Sequence, residues 1–183
     1  MKKTEIKLIH IVFGAVLAAM VFVVTMFRFP LLGSKVHFAN AVCLLSGLLL
    51  GPVWGGAAAG LGSALYDLSF YNEGIINLLI TFVSKFAMAW VCGLIYKGFG
   101  EKKNKPLNLV IACIAGALTY VALYMLKTAI YGAIAGNILA PVISKFPASI
   151  INAAVAIIAT PIFYSAVLPA LKSTGIYRQL EGV

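Results

Sequence analysis

Two ionisable residues stand where an apolar chain should not tolerate them. Lys85 lies about ten residues into the run "GIINLLITFVSKFAMAWVCGLIY", and Asp67 closes the run "LLLGPVWGGAAAGLGSALYDL". A charged side chain inside a membrane-crossing segment costs about 2.5–3.5 kcal/mol on insertion scales, so it must face a partner or a cavity. Two readings of Lys85 are open: an ion pair with Asp67, or a cation on a cavity wall that holds a polar or anionic group. They are compatible if the pair itself sits at the wall.

Polar residues near Lys85 recur at helical spacing. Asn77, Thr81 and Lys85, each four residues apart, put an amide, a hydroxyl and an ammonium on one helix face. Tyr120, Tyr124, Lys127 and Tyr131 do the same on the next apolar segment, at spacings of four, three and four. A tyrosine at a membrane boundary often serves only as an anchor. Tyr131 fits that description, but Tyr120 lies about three turns deeper. Lys127 is open to both snorkelling and ligand contact. Asn152, with Ser149 a turn before it, opens the last apolar segment on the same outer side. Three helices thus concentrate their polar groups in one half of the membrane, which implies a site facing outwards. Phenol faces with a few placed donors suit a flat heterocycle.

Other chemistries lack their residues. No G-x-x-x-x-G-K-[ST] loop occurs, so the chain does not hydrolyse ATP by that route. His10 and His37 have no second ligand at metal-binding spacing, so no metal and no cofactor are expected. Cys43, Cys92 and Cys113 sit singly in apolar runs and read as small buried hydrophobes. Ser63 follows a glycine, but its segment carries no histidine to activate it. The acids are five, Glu5, Asp67, Glu73, Glu101 and Glu181, and three of them lie near cytoplasmic ends. Binding without reaction is the expectation; a lipid-acting membrane enzyme would need more acids or histidines. A stand-alone channel or transporter is a further alternative, but it would need polar residues through the inner half of the spans.

The elements that must position these residues follow from composition. Of 183 residues, 62% are hydrophobic and 10% charged, with mean hydropathy +1.03. A soluble domain of this size cannot hide so much apolar surface, so lipid is the solvent. Spans are expected at about 6–27, 38–50, 53–67, 75–97, 107–131 and 147–170. The expected fold is therefore a single all-α domain over 1–183, with six transmembrane helices. The second and third spans are short and meet at Gly51-Pro52, as two tilted spans or as one broken helix, and the Gly-Pro pair favours a turn at the cytoplasmic face between two short helices. With the N-terminus inside, the inner face holds Lys2, Lys3, Lys7, Lys97, Lys102, Lys103, Lys105, Lys172 and Arg178. The outer face then holds only Arg28, Lys35 and Lys145, so both termini are expected in the cytoplasm. No basic cluster interleaved with aromatics argues for nucleic acid. The opening "MKKTEIKLIHIVFGAVLAAM" has an apolar run too long for a cleaved signal and reads as an uncleaved first helix.

Small residues mark close helix packing. Gly51, Gly55, Gly56, Gly60 and Gly62 read as scaffold that lets the third span lie close to its neighbours, with the ligand read elsewhere. Ala15 and Ala19, a small-x-x-x-small pair on the first span, pack within the chain or meet another protein.

The segments "FRFPLLGSKVHFANA" and "LLLGPVWGGAAAGLGSALYDL", with the Lys-bearing helix that follows, resemble the substrate-binding (S) component of an energy-coupling factor (ECF) vitamin transporter. The resemblance covers about 6–170, and residues 36–68 are similar to the riboflavin/hydroxymethylpyrimidine-type branch. It implies a six-helix bundle in the bacterial plasma membrane that binds a vitamin or precursor in its outer half. A lid would lie at about 28–37. A coupling subunit would dock at Ala15 and Ala19, and two ATPase subunits would supply the energy. His37 and Asn40 join the expected substrate contacts Asn77, Thr81, Lys85, Tyr120, Tyr124, Lys127 and Asn152. Relatives often carry Gly-Asp where this chain has Ala39-Asn40, so one charge is missing near the site. The stripe of phenols suits hydroxymethylpyrimidine or a pyridoxine-like ring, and the two lysines keep an anionic vitamin such as pantothenate as the alternative.

Overall fold

The computed structural model describes residues 8–31, 34–71, 74–99 and 106–181. The basic residues Lys2, Lys3, Lys7, Lys102, Lys103 and Lys105, the acids Glu5, Glu73 and Glu101, and the expected start of the first span at residue 6 lie outside them. The chain runs α1 (Leu8–Met26), β1 (Arg28–Leu31), β2 (Ser34–His37), α2 (Ala39–Phe70), α3 (Ile75–Gly98), α4 (Pro106–Ile134), α5 (Leu139–Ser173) and α6 (Ile176–Glu181). Among the described residues, α1 to α5 are long and apolar enough to cross a membrane. Many of their large apolar side chains, such as Ile11, Val16, Leu65 and Ile158, face outward as they would toward lipid.

The 32 residues of α2 are not one rod. Gly51 has φ +77° and ψ −177°, a conformation open to glycine and strained for any other residue, and Pro52 starts the helix that follows. Ser46 Oγ lies 2.8 Å from the Gly55 carbonyl oxygen, although nine residues along a straight helix span about 13 Å. The arms 39–50 and 52–70 therefore fold back on each other. A Cβ on Gly55 would stand 2.4 Å from the Ser46 carbonyl oxygen, so only glycine fits the inside of the turn. Gly47 packs on Ala89, and Gly56 and Gly60 pack on Phe86 and Phe82. The first arm thus runs parallel to α3 and the second antiparallel to it.

The other helices complete the bundle around these arms. α1 runs beside the second arm, with Gly62 against the Ala18 carbonyl and Phe22 edge-on to Tyr66. α4 runs antiparallel to α3, with Gly116 against Met88 and Cys92. α5 donates Thr160 Oγ1 to the Ala41 carbonyl at 3.2 Å, and the Tyr96 and Tyr164 hydroxyls bond to each other. The core between them contains Leu44, Met88 and the three cysteines, all buried and free of disulfides.

The short spans 38–50 and 53–67 are two helical arms joined by a turn at Gly51-Pro52, as expected, and Gly51 turns the backbone without leaving room for a loop. Three features differ from expectation. The segment 28–37 is an antiparallel β-hairpin pairing Arg28 with His37 and Phe29 with Val36, so the fold is helical but not purely so. α5 starts at Leu139 rather than 147, because Gly136 (φ +78°) ends the preceding helix and Asn137 Oδ1 accepts the Ala140 N–H at 3.1 Å. Finally, α6 folds back under the bundle, where Leu180 O lies 3.2 Å from His10 Nε2.

Candidate ligand-binding cavity

The polar stripes meet in one cavity of about 740 Å³ at the hairpin end of the bundle. Eight expected contacts line it: His37, Asn77, Thr81, Lys85, Tyr120, Tyr124, Lys127 and Asn152. Tyr120 and Tyr124, one turn apart on α4, form a stacked wall with ring centroids 6.0 Å apart and planes 18° from parallel. Asn77 does not face the cavity unaided, since its Oδ1 accepts the Tyr131 hydroxyl at 3.1 Å and ties α3 to α4. Lys127 Nζ lies 5.7 Å from the centroid of the Tyr131 ring.

Lys85 is 5% exposed and points inward from α3. Its ammonium donates to Asn40 Oδ1 and lies 3.8 Å from the centroid of the Tyr120 ring, a cation–π contact. Asn40, expected as a ligand contact, stands behind Lys85 instead. It is 1% exposed and does not line the cavity, because its place in the first turn of α2 aims its amide at α3. The expected pair of Asp67 with Lys85 does not form either. The register of Gly60 on Phe82 and Gly56 on Phe86 puts Asp67 opposite Ile75, about 15 Å along α3 from Lys85. Asp67 borders the cavity nearer its mouth and shares a smaller neighbouring void with Tyr71, Ile75 and Asn77. The partner of the ammonium is thus an amide, which accepts a hydrogen bond without cancelling the charge.

The hairpin closes one side of the cavity through both of its outer residues. The His37 N–H donates to Asn152 Oδ1 on α5 at 3.0 Å. Its register partner Arg28 reaches the opposite way, with its guanidinium 5.2 Å and 4.7 Å from the Tyr66 and Tyr71 ring centroids. The hairpin base therefore bridges α5 and the C-terminal end of α2. Burial, with the charges of Lys85 and Arg28 nearby, lowers the His37 pKa to about 3, so this imidazole is neutral at physiological pH.

Several lining residues were invisible in the sequence pattern. Thr25, Arg28, Tyr71, Asn137 and Lys145 come from near helix ends and from the hairpin, and Ser63 and Tyr66 from the glycine-rich arm of α2, where no polar periodicity marks them. Ser63, Tyr66 and Asp67 belong to the glycine-rich stretch, so that stretch is more than scaffold: its far end is cavity wall. Ala15 and Ala19 are not part of the cavity lining and lie exposed on α1, while Leu17 and Ala18 are buried.

The match to a known family now has its structural counterpart. Residues 5–168 match the family model described as "ECF-type riboflavin transporter, S component". The chain belongs to this family. As an ECF S component it is the substrate-binding subunit of a transporter rather than its catalytic part, and a multi-pass protein of the bacterial plasma membrane. The fold is similar to a solved structure reported under "Structure and mechanism of the S component of a bacterial ECF transporter", at 22% sequence identity and TM-score 0.69. The similarity covers 89% of this chain and 97% of that one. No curated protein matches the sequence.

Proposed function

We propose that this S component captures a flat heteroaromatic vitamin of riboflavin's size in the outer half of the membrane. A coupling subunit and two ATPases then drive its delivery inward. The carrying observation is the cavity itself: about 740 Å³, walled by the stacked Tyr120 and Tyr124 and ringed by polar groups from the hairpin and five helices. That volume lies in the usual range of about 300–1,000 Å³ for drug-sized ligands. A one-ring ligand such as hydroxymethylpyrimidine or a pyridoxine-like ring would leave much of it to water. A fused ring with a polyol arm uses both the aromatic wall and the polar mouth. The family's description supports riboflavin as the first vitamin to test.

The topology behind this reading is six crossings with both termini cytoplasmic. The two arms of α2 count as separate crossings, and the excess of lysine at the inner face supports the orientation. Ala15 and Ala19, exposed on α1, offer the coupling subunit a surface on which helices can approach closely.

A second reading has its own observation. Among the described residues, Arg28, Lys85, Lys127 and Lys145 line the cavity against one carboxylate, Asp67, which favours an anionic vitamin such as pantothenate. One experiment separates the two. The purified chain, without ATP or partners, is titrated with riboflavin while flavin fluorescence is followed, and hydroxymethylpyrimidine, pyridoxine and pantothenate are tested as competitors. Mass spectrometry of the purified protein identifies any molecule it carries. Saturable quenching at micromolar riboflavin or below supports the first reading. Tight pantothenate binding with no flavin response replaces it with the second.

A further inference from the structure

Three polar groups with unspent hydrogen-bonding capacity meet at the inner end of the cavity. Ser63 is 4% exposed, and its Oγ has no hydrogen-bond partner; its neighbour is the Cys43 thiol, a weakly bonding group. His37 Nδ1 is likewise buried and unpartnered. Lys85 gives one N–H to Asn40 and sets its charge against the Tyr120 ring, and among the described residues no carboxylate pairs with it. All three residues line the same cavity.

The backbone register brings Ser63 and His37 to one level, and the Lys85 ammonium is close enough to act on His37 and on the Cys43 thiol beside Ser63. Gly55 abuts Ser46 and Gly47 across the antiparallel arms of α2, so Ser63, eight residues further on, comes level with residues 38–39. His37 immediately precedes that point, and Asn40, the partner of Lys85, immediately follows it. Leu44, Met88 and Cys92 seal the bundle beneath.

We propose that Ser63, His37 and Lys85 form the end of the cavity that reads the edge of a cyclic imide or lactam on the ligand's ring. This rests on the heteroaromatic-vitamin reading above and adds which part of the ring enters first. Lys85 can only donate, so it selects an acceptor oxygen. A serine hydroxyl and a neutral imidazole nitrogen can each give or take a hydrogen bond. The edge that uses all three is a carbonyl, N–H, carbonyl sequence of the pyrimidinedione kind. A buried hydroxyl left without a partner destabilises the empty site, and a ligand that pairs with it recovers that loss. The polyol or other polar arm then points toward the mouth.

Riboflavin and 3-methylriboflavin test this directly, because the methyl group removes the ring N–H and leaves both carbonyls. The purified full chain should prefer riboflavin by about tenfold or more, the effect of one good buried hydrogen bond. Ser63→Ala should weaken riboflavin by about tenfold and leave 3-methylriboflavin within twofold, so that the preference collapses. Lys85→Met should weaken both flavins together. Equal losses for the two flavins in Ser63→Ala, or no loss for either, would overturn the assignment. If Ser63→Ala does not elute as a folded monomer, Ser63→Cys, nearly isosteric and a poor hydrogen bonder, replaces it with the same expected pattern. A wild-type protein that binds no flavin at all refutes the vitamin reading and this inference with it. A wild-type protein that binds both flavins equally refutes this inference alone.

Discussion

Lys85 is where a small local choice has the largest effect. With Asn40 rather than a carboxylate as its partner, its buried positive charge stays available to a ligand. Such a charge is costly in the empty protein, and the cavity carries that cost for binding. Lys85→Met should therefore weaken ligand binding by about 10- to 100-fold, the range of a charged hydrogen bond, while raising the melting temperature of the ligand-free protein. Titration and thermal unfolding of the same preparation measure both signs. His37 makes a second prediction. Its pKa is lowered to about 3 by burial and by the neighbouring Lys85 and Arg28. A histidine held neutral in the fold but free to protonate when unfolded contributes stability that is complete above about pH 6.5, and this stability erodes as pH falls toward 3. Ligand affinity should then be flat from pH 8 to about 5. An inflection near 6.5 that disappears in His37→Phe would show the imidazole to be solvated.

The informative elements are the hairpin and the reversing helix. Asn152 on α5 accepts the His37 N–H, while Arg28 rests on Tyr66 and Tyr71 at the far side. Removing the acceptor with Asn152→Leu should speed ligand release by about tenfold with a smaller change in the association rate. Hydrogen exchange at residues 34–38 should quicken in parallel. If release accelerates while that exchange is unchanged, Asn152 acts on the ligand rather than on the hairpin. In α2 the relevant constraint is closeness. A Cβ at Gly47 would stand 2.2 Å from the Ala89 carbonyl oxygen, which is backbone and cannot yield. Gly47→Val should cost at least about 1–3 kcal/mol, the usual range for overpacking, read as a lower melting temperature.

For the whole molecule, the proposed docking face lies outside the cavity lining. Ala15 and Ala19 lie exposed on α1, and neither lines the cavity. Ala15→Trp should leave riboflavin binding by the isolated chain within twofold. In cells that also make the coupling subunit and ATPases, it should abolish most vitamin uptake, because a bulky ring keeps helices apart. Uptake at the wild-type level would move the docking surface elsewhere.

The sequence by itself determined what depends on composition and helical period. It marked the membrane class through its hydropathy, the cavity-facing sides of α3 and α4 through stripes at spacings of three and four, and the family through residues 36–68 and their surroundings. Tyr120, Tyr124, Thr81 and Lys85 could be assigned to one cavity because neighbours along a helix face are set by the 3.6-residue turn. Tertiary structure alone decided what depends on register between segments. The antiparallel register of the second arm of α2 on α3 separates Asp67 from Lys85, and the parallel first arm brings Asn40 to Lys85. The turn at Gly51 folds the glycine-rich stretch back so that Ser63 reaches the level of His37. Periodicity fixes directions along one helix, but the vertical offset between two helices comes from which small residues let their backbones touch. Here those contacts, Gly47 on Ala89 and Gly60 on Phe82, decided which polar groups share the cavity's inner end.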